Sequence, residues 1–316
     1  MKVLITGGAG FIGSHLADRL IARGDEVLVI DNFATARRDS LPERPRLTVV
    51  EATIADSGVV SRLMSEARPD VVVHAAAAYK DPDNWYEDGL TNVVGTVNVV
   101  KAAKAAGAPR IVYFQTALCY GVRPLEQPIT LDHPLRPGDS SYAISKTAGE
   151  YYVRLSGIDH VSLRLANVYG PRNLSGPLPT FYQRLTTGKP CFVMETRRDF
   201  IFVDDLVDVA VMAIDGRGTG VYHVSSGADI AIKDLFDATL KGLGIKADVE
   251  VRPRNPDDAP SILLDPSRTI RDFSGWKPRV DLQTGVRKAI EWYRDHGVTQ
   301  TFTHLRPSEA ASTATR

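Results

Sequence analysis

The sequence of 316 residues is poor in cysteine, with only Cys119 and Cys191, and neither lies at a metal-ligand spacing from another cysteine or histidine. Two cysteines cannot build a disulfide framework, so a stapled extracellular scaffold is excluded. The same scarcity suits the reducing cytoplasm. No metal site is expected.

Long apolar runs and an excess of one charge are also missing. No apolar stretch approaches the roughly 20 residues of a transmembrane helix, and the N-terminus enters a strand pattern without the features of a signal peptide. Lys plus Arg and Asp plus Glu both total 38, which gives zero formal net charge. We therefore expect a cytoplasmic protein that binds no membrane and no nucleic acid through bulk charge, although a local basic pocket is compatible with this balance.

The first two thirds of the chain alternate short apolar segments with amphipathic ones. Strands are predicted at Lys2–Ile5, Glu26–Ile30, Leu47–Val50, Val71–His74, Arg110–Phe114 and Val161–Leu165. Helices are predicted between them at Phe11–Arg23, Gly58–Ala67, Leu90–Ala106 and Ser141–Leu155. Several strands are apolar throughout, as expected for parallel strands covered on both faces. The pattern predicts an α/β fold with a doubly wound parallel sheet, because parallel neighbours need crossover connections.

Glycine and proline break up the chain after Asn167, which predicts long loops and a function-bearing region. Phe200–Val203 and Val221–Val224 are predicted strands that return to the sheet, and Ile232–Leu243 and Leu282–His296 are predicted helices. We therefore predict a dinucleotide-binding domain over 1–167 with returning segments at about 200–224. A smaller interleaved C-terminal substrate lobe would span 168–199 and 225–303, followed by a disordered tail over 304–316.

Regularly spaced glycines follow the first strand at Gly7, Gly10 and Gly13. Gly7 suits a tight turn, Gly10 lets backbone amides approach a pyrophosphate, and Gly13 lets the next helix lie close to the strand. The helix that begins at about Phe11 adds N–H groups and positive dipole potential. The spacing G-x-x-G-x-x-G also fits a plain strand–helix turn. Its place between the first strand and the first helix predicts a dinucleotide site.

Asp31 ends the second predicted strand, 18 residues after Gly13. A carboxylate there can accept hydrogen bonds from a ribose and repels a 2′-phosphate, which favours NAD over NADP. Arg37 and Arg38 could instead meet such a phosphate. We interpret them as a solvated loop face.

Tyr142 and Lys146 are four residues apart and therefore share one face of a predicted helix. A tyrosine with a pKa of roughly 10 is a poor base at neutral pH. A neighbouring ammonium and a positive nicotinamide ring favour the phenolate, which could take a hydroxyl proton. The spacing alone also fits an exposed helical pair. The glycine turn upstream, and Thr116 just past the strand Arg110–Phe114, favour a catalytic set.

Several further segments complete a resemblance to a known family. They are GGAGFIGSHL at 7–16, DNF at 31–33, VVVHAAA at 71–77, TNVVGTVNVV at 91–100, FQTALCYG at 114–121, SYAISK at 141–146, RLANVYGPR at 164–172 and RRDFIFVDDL at 197–206. Over about residues 1–300 the chain resembles extended short-chain dehydrogenases/reductases of the NAD-dependent epimerase/dehydratase family. The segments at 79–86, 114–121 and 173–185 are most similar to nucleotide-sugar epimerases encoded with bacterial O-antigen or other surface-glycan pathways.

The resemblance implies a role for individual residues. It makes Thr116, Tyr142 and Lys146 catalytic, and it assigns these three residues to the cofactor together with Gly7, Gly10, Phe11, Ile12, Gly13, Asp31, Asn32, Thr53, Ile54, Ala75, Ala76, Ala77 and Asn92. It assigns to the nucleotide-sugar substrate Lys80, Asn167, Leu178, Arg198 and Arg254. Arg198 could instead pair with Asp199 or Asp204, and Arg252 could take the place of Arg254. The resemblance also implies a homodimer formed by the helices at 90–106 and 141–155, whose apolar content equally fits burial against the sheet.

Departures from the family pattern bear on the reaction. Members that dehydrate or decarboxylate commonly have acidic residues just after the catalytic threonine, where this chain has Ala117 and Leu118. Without that acid, β-elimination loses its obvious proton donor, which favours plain epimerisation. Thr53 stands where the family often has an adenine-binding Asp, and Phe202 stands where it often has His.

The leading hypothesis is C4 epimerisation of a UDP-sugar through a transient 4-keto intermediate. Tyr142 would take the C4 hydroxyl proton, directly or through Thr116, while NAD holds the C4 hydride and returns it to the opposite face of the sugar. A nucleotide-sugar dehydratase or a keto-sugar reductase of the same family is the alternative. A non-catalytic NAD-binding module on the same fold is a third reading.

Overall fold

The computed structural model describes residues 1–254 and 259–302 of the chain. The predicted tail at 304–316 lies outside the described residues. The strands, in chain order, are β1 (Lys2–Thr6), β2 (Glu26–Asp31), β3 (Leu47–Glu51), β4 (Val71–His74), β5 (Arg110–Thr116), β6 (Asp159–Leu165), β7 (Asn167–Tyr169), β8 (Phe192–Met194), β9 (Arg197–Phe202), β10 (Gly220–Val224), β11 (Asp229–Ala231), β12 (Glu250–Arg252) and β13 (Ser261–Ile262).

The α-helices lie between and after these strands, and several of them begin at a side-chain cap. They are α1 (Phe11–Arg23), α2 (Ser57–Ala67), α3 (Trp85–Asp88), α4 (Thr96–Ala105), α5 (Ser141–Leu155), α6 (Pro177–Thr186), α7 (Val203–Ile214), α8 (Ile232–Leu243), α9 (Ser267–Asp272) and α10 (Leu282–His296). The carboxylates of Asp56 and Asp281 accept from backbone N–H groups in the first turns of α2 and α10, and the hydroxyl of Ser140 does so for α5. Such side-chain caps satisfy donors that have no partner inside the helix.

Seven strands form one large parallel sheet in the order β10-β6-β5-β4-β1-β2-β3. Every neighbouring pair in it is parallel. Helices cover both faces, with α1 and α7 packed on one side and α2, α4 and α5 on the other. The expectation of a doubly wound parallel α/β sheet is confirmed, because continuous apolar strands need cover on both faces.

The prediction that Phe200–Val203 returns to the large sheet is wrong. Strand β9 joins a small sheet in which it pairs with β7, β11 and β13. The strand ends at Phe202, and Val203 begins α7, which packs against α1. An apolar run predicts a buried strand but does not say which sheet it joins. Val221–Val224 does return to the large sheet, as β10 beside β6.

The small sheet belongs to a C-terminal lobe that also contains the β8–β12 pair and helices α6, α8 and α10. Between its parts, α7 and β10 go back to the large sheet, so the lobe is interleaved with it. The apolar core on the α1 and α7 side of the large sheet continues into this lobe through residues such as Phe181, Phe236 and Tyr293. The lobe is therefore fixed to the sheet by a shared core.

The predicted helix Leu90–Ala106 has two parts. Gly89–Gly95 forms a π-helical segment, and α4 begins only at Thr96. At Gly95 an added Cβ would lie 2.6 Å from the side chain of Ile54, in the loop after β3, so a larger residue would have to displace that side chain. Apolar periodicity does not show that a helix has the wider turn of a π-helix, so the sequence did not predict this segment. Such segments commonly occur at functional sites.

No helix among residues 1–254 and 259–302 is both long enough and apolar enough to cross a bilayer.

The polar groups buried under α5 are paired. Glu150 on α5 and Arg164 on β6 form a salt bridge of 2.7 Å between Oε2 and Nη2, with both side chains less than a tenth exposed. Arg164 also donates from Nη1 to the hydroxyl of Tyr120 at 2.7 Å. The pair joins α5 to β6, the strand next to the edge strand β10.

We predict that Arg164→Met lowers the free energy of unfolding by about 3–5 kcal/mol, because it leaves the Glu150 carboxylate buried without its cation. The double variant Glu150→Leu/Arg164→Met should recover most of that loss, since neither charge then remains. Urea unfolding measures both. Lys233→Ala, which breaks an exposed pair with Asp237, is the control and should cost about 1 kcal/mol or less. Equal losses for the two single variants would refute the prediction.

Candidate active site

A cavity of about 540 Å³ opens at the carboxyl-terminal edge of the large sheet, next to β1, β4 and β5. Open α/β sheets bind ligands at this edge, where the strand order reverses. Its lining comes from the glycine turn after β1, the loops after β2, β3 and β4, the end of β5, the face of α5, and the C-terminal lobe. The fold therefore brings residues that are far apart in sequence into one continuous site.

The glycine turn touches the loop after β4 so closely that side chains are excluded. Gly7 has a φ of +69°, and a Cβ there would lie 2.6 Å from both Cα and N of Ala76. A Cβ on Gly13 would overlap the carbonyl oxygen of Gly7 and the Cα of Gly8. These contacts are the physical reason for glycine at Gly7 and Gly13, as the sequence predicts.

Helix α1 starts at this turn with Gly10 as its N-cap and without a side-chain cap. The buried carboxylate of Asp31 braces the turn, because its Oδ2 accepts from Ala9 N at 2.9 Å and its Oδ1 accepts from Phe33 N at 2.8 Å. Burial raises the pKa of Asp31, and these backbone donors oppose that shift. Asp31 thus lines the cavity and also holds the glycine turn in place.

Nearly all the predicted cofactor residues line this cavity. Besides Thr116, Tyr142 and Lys146 they are Gly7, Gly10, Phe11, Ile12, Gly13, Asp31, Asn32, Thr53, Ile54, Ala75, Ala76 and Ala77. Asn92 is not part of this lining. Its Oδ1 accepts from Ala78 N at 2.9 Å, and its Nδ2 donates to Ala78 O and to Ser145 Oγ, both at 3.0 Å. The π-helical segment thus uses Asn92 to tie the loop after β4 to α5.

Thr116, Tyr142 and Lys146 all line the same cavity. Thr116 ends β5, and its Oγ1 accepts from Leu118 N at 3.2 Å. Tyr142 and Lys146 lie on successive turns of α5, with Tyr142 half-buried and Lys146 only 2% exposed. The alternative of an exposed helical pair is thereby excluded for Lys146.

The charges around Tyr142 differ from the sequence-based expectation. Burial raises the pKa of Tyr142, and the proximity of Tyr79 and Asp88 raises it further. Burial lowers the pKa of Lys146 to about 7, while Glu150 on the next turn of α5 opposes that shift. We expected the lysine to lower the pKa of the tyrosine, but desolvation dominates for both groups. The chain alone therefore keeps Tyr142 protonated at neutral pH.

The predicted substrate residues divide into two groups. Lys80, Asn167, Leu178 and Arg198 line the cavity. Arg254 is not part of the lining that the described residues form, and Arg252 pairs with Glu250 and lies over the ring of Phe192. At Arg198, Nη1 donates to the carbonyls of Arg197 and Ala259 at 2.8 and 3.1 Å.

The acids proposed as alternative partners of Arg198 have other contacts. Asp199 accepts from Ser226 N and Oγ and from Leu264 N, and Asp204 faces Lys288 at 3.7 Å. Arg38 is solvated as we expected and pairs with Glu51. Arg37 is partly buried: it pairs with Asp39 and also contacts α10 through the carbonyl of His296 and the ring of Trp292.

The lining also contains residues that the sequence analysis did not assign to the site, among them Tyr79, Asp88 and Gln115. Asp88 is buried at the end of α3 and contacts Ser141, and burial raises its pKa. Gln115 directly precedes Thr116 on β5, so its place at the strand end was a usable signal. Tyr79 directly precedes Lys80 in the segment 79–86 that carries part of the family resemblance, so its position was also a usable signal. Nothing in the local pattern around Asp88 points to the cavity, because it reaches the cavity only through the tertiary path of the chain.

His74 and Cys119 are buried core residues. His74 bonds Thr6 Oγ1 at 2.6 Å and Thr96 Oγ1 at 2.8 Å, and burial lowers its pKa to about 3. Burial also raises the pKa of the Cys119 thiol, which disfavours a nucleophilic thiolate. Across residues 1–254 and 259–302, no group of three or more His, Cys, Asp or Glu side chains is arranged to hold a metal ion.

Comparison with known proteins links this site to a family. The profile of the NAD dependent epimerase/dehydratase family matches residues 3–225. The chain is 33% identical to a UDP-glucose 4-epimerase of Mycolicibacterium smegmatis, over 93% of this chain and 99% of that protein.

Solved structures show the same fold over nearly the whole chain. The Bordetella bronchiseptica enzyme WbmH, in complex with NAD⁺, is 56% identical with a TM-score of 0.91, over 94% of this chain and 99% of that one. WbmG of the same organism, in complex with NAD and UDP, is 49% identical with a TM-score of 0.88, over 96% of this chain and 97% of that one.

We predict that Gly13→Ala lowers the free energy of unfolding by about 1–3 kcal/mol, because the new methyl group must push α1 away from Gly7. The displaced helix should also weaken dinucleotide binding, measured by calorimetric titration. Gly58→Ala is the control, since Gly58 is exposed in α2 and an alanine there should be neutral or stabilising by up to about 1 kcal/mol. Similar unfolding midpoints for the two variants would contradict the steric argument.

Proposed function

This chain belongs to the NAD dependent epimerase/dehydratase family, and we propose that it is a nucleotide-sugar epimerase that uses NAD to invert C4 of a UDP-sugar. One observation carries the proposal. Thr116, Tyr142 and Lys146 share a cavity with the glycine turn on one side and with Asn167 and Arg198 on the other. A cofactor at the turn and a sugar nucleotide at the lobe would meet at Tyr142.

The residues at the glycine turn fit NAD. Gly7 and Gly13 leave no room for side chains beside the backbone, and the uncapped N-terminus of α1 offers N–H groups to a pyrophosphate. Asp31 presents a carboxylate where an adenosine ribose would bind, which disfavours the 2′-phosphate of NADP. When bound, oxidised NAD supplies a hydride acceptor and a positive charge beside Tyr142.

Three side chains of the protein would take part in the transfer of the substrate's C4 hydroxyl proton. Tyr142 would accept the proton of the C4 hydroxyl, and Lys146 on the next turn would stabilise the phenolate. Thr116 accepts from Leu118 N, an arrangement that leaves a threonine hydroxyl able to donate. It would bond the substrate oxygen and orient it toward Tyr142.

The lobe supplies the groups for the nucleotide diphosphate. Arg198 projects a guanidinium, whose planar fork suits a diphosphate, and Asn167 adds an exposed amide beside it. Leu178 is a buried apolar wall, and Lys80 lies on the loop after β4. We propose that these four residues contact the substrate. Held mainly at its diphosphate, a 4-keto sugar could turn over and present its other face.

A nucleotide-sugar dehydratase is the second candidate, and Asp88 is the observation that favours it. Ala117 and Leu118 bring no acid to the cavity, but Asp88 lines it from α3. Its pKa is raised by burial and by the nearby Glu87 and Asp81, so it can hold a proton better than an exposed aspartate. An acid in the cavity is what elimination of a hydroxyl needs.

We expect the purified protein to epimerise at least one of UDP-glucose, UDP-N-acetylglucosamine and UDP-glucuronate without added NAD, measured by chromatography of the sugar nucleotides. Tyr142→Phe should lower kcat by about 10²–10⁴-fold through loss of the proton acceptor. Tyr151→Phe, an exposed tyrosine of the same helix, should keep its activity. Release of a keto sugar would support the dehydratase, and no product from any substrate would refute the epimerase.

We also propose a homodimer built on α5 and on the helical segment 89–105, which ends in α4. One side of these helices is buried in the core. On the other side, Val94 of the π-helical segment and Ile144, Tyr151, Tyr152 and Leu155 of α5 are 40–78% exposed. Exposed apolar patches of this kind on neighbouring helices commonly mark a protein interface. Two copies related by a two-fold axis would bury both patches in a four-helix arrangement.

We predict that the protein sediments as a dimer at micromolar concentration and that Leu155→Glu shifts it to a monomer, because the charge would be buried in the interface. Leu125→Glu is the matched control, since Leu125 is 67% exposed outside the patch. Analytical ultracentrifugation measures both variants. A monomeric parent protein would contradict the prediction.

We also propose a cellular setting and a use for the product. Both cysteines are free and buried, which suits the cytoplasm that we propose. The similarity of segments 79–86 and 173–185 to surface-glycan epimerases supports a product used in glycan biosynthesis.

A further inference from the structure

We propose that Tyr113 and Gln115 are positioning residues that hold Lys146 against β5 and fix its placement relative to Thr116. The inference rests on the proposed epimerase function. Both side chains point from β5 toward α5, because alternate residues of a strand share one face. Tyr113 Oη donates to Lys146 O at 2.9 Å, and Gln115 Nε2 donates to the same oxygen at 3.0 Å.

The shared acceptor is informative because it already has a role in the helix. A carbonyl inside an α-helix accepts the N–H four residues later, so Lys146 O has no need of further donors. Tyr113 is fully buried and Gln115 is 2% exposed, so their polar groups must be satisfied inside the protein. Both satisfy that need on one atom of the catalytic lysine, which fixes the turn of α5 that carries it.

Gln115 also reaches the other predicted catalytic residue. Its Oε1 accepts from Thr116 N at 2.8 Å, while its Nε2 faces Lys146 O. These partners fix the orientation of the amide. If it were flipped, its NH₂ group would face the N–H of Thr116 and its oxygen would face the carbonyl oxygen of Lys146. One buried amide therefore connects the backbone of Thr116 to that of Lys146, across the gap between β5 and α5.

Tyr113 holds the other end of the lysine. The Nζ of Lys146 lies 4.1 Å from the centre of the Tyr113 ring, within the range of a cation–π contact. The same tyrosine therefore contacts the lysine at its carbonyl and at its ammonium. A lysine side chain has many rotamers, and this double contact leaves it few.

Gly149 allows α5 to come this close. A Cβ on Gly149 would lie 2.6 Å from the hydroxyl oxygen of Tyr113 and 3.0 Å from the carbonyl oxygen of Asn92. The glycine has a helical backbone conformation, so close approach rather than backbone freedom accounts for it. This contact is independent of the bonds to Lys146 O and shows that the helix is seated directly on Tyr113.

Kinetics of Tyr113→Phe, Gln115→Met and the double variant test the proposal. Each single variant leaves one donor on Lys146 O and should lower kcat about 3-fold, as expected for one hydrogen bond. The double variant frees the turn and should lower kcat about 10²-fold. KM should stay within about 2-fold of the parent protein, because Tyr113 is not part of the cavity lining and Gln115 uses both ends of its amide on backbone groups.

Tyr222→Phe is the matched control, because Tyr222 is also a buried tyrosine of the large sheet and its hydroxyl bonds Asp272 at 3.1 Å, away from the cavity. Its kcat should not change. A double variant that loses only the product of the two single effects would overturn the proposal. So would an equal loss in Tyr222→Phe, or a change confined to KM.

A second measurement needs no turnover. With lysine labelled with ¹³C at Cε, the Lys146 signal, assigned by its loss in Lys146→Met, should be shifted upfield by the Tyr113 ring and should titrate with a pKa of about 7. The titratable groups around it are Glu150 and Tyr142 on α5, Tyr113 on β5 and His74 on β4. Tyr113→Phe should keep the upfield shift, whereas Tyr113→Leu should lose it and lower the pKa of Lys146.

An unchanged Lys146 signal in Tyr113→Leu would refute the positioning role. If the parent protein epimerises no sugar nucleotide but this signal responds as expected, the proposed function fails and the contact with Lys146 stands. Far-ultraviolet circular dichroism of each variant shows that the fold is retained. The two failures are thus distinguishable.

Discussion

The burial of Lys146 is the constraint on which the region beneath the cavity depends. A cation in a low-dielectric interior is strongly unfavourable unless it is compensated. The chain compensates it with the ring of Tyr113 and with Glu150 one turn further along α5. Glu150 is in turn paired with Arg164, which also bonds Tyr120. The lysine can lie at the edge of the cavity because a continuous set of buried polar groups extends from it into the sheet.

Much of the large sheet could be predicted from sequence, because its strands are apolar on both faces and its helices follow a regular period. Helices α1, α5, α8 and α10 begin and end at the predicted residues. The sheet that β9 joins could not be predicted, since partner choice depends on where α7 and the lobe pack. The π-helical segment at 89–95 was missed for a related reason. It packs against Ile54 and α5, and the apolar periodicity of a sequence does not record such tertiary contacts.

The candidate site was predictable where backbone geometry restricts residue type. Gly7 and Gly13 follow from close approach, and Tyr142 and Lys146 from helical spacing, so a short motif records each pair. Asp88 lines the cavity only because of the tertiary path of the chain, and no local motif indicates it. Asn92 shows a further limit. The family resemblance assigns it to the cofactor, whereas the structure uses its amide to join the loop after β4 to α5.

The protonation states of Tyr142 and Lys146, the proposed catalytic pair, are set mainly by burial. Burial raises the pKa of Tyr142 and lowers the pKa of Lys146 to about 7, so both groups are pushed toward their neutral forms. Tyr79 and Asp88 raise the pKa of Tyr142 further, because a negative charge on either of them disfavours a second negative charge on Tyr142. The chain alone therefore does not hold a reactive phenolate. A positive charge entering the cavity would lower the pKa of Tyr142, which makes proton abstraction conditional on that charge rather than a standing property of the fold.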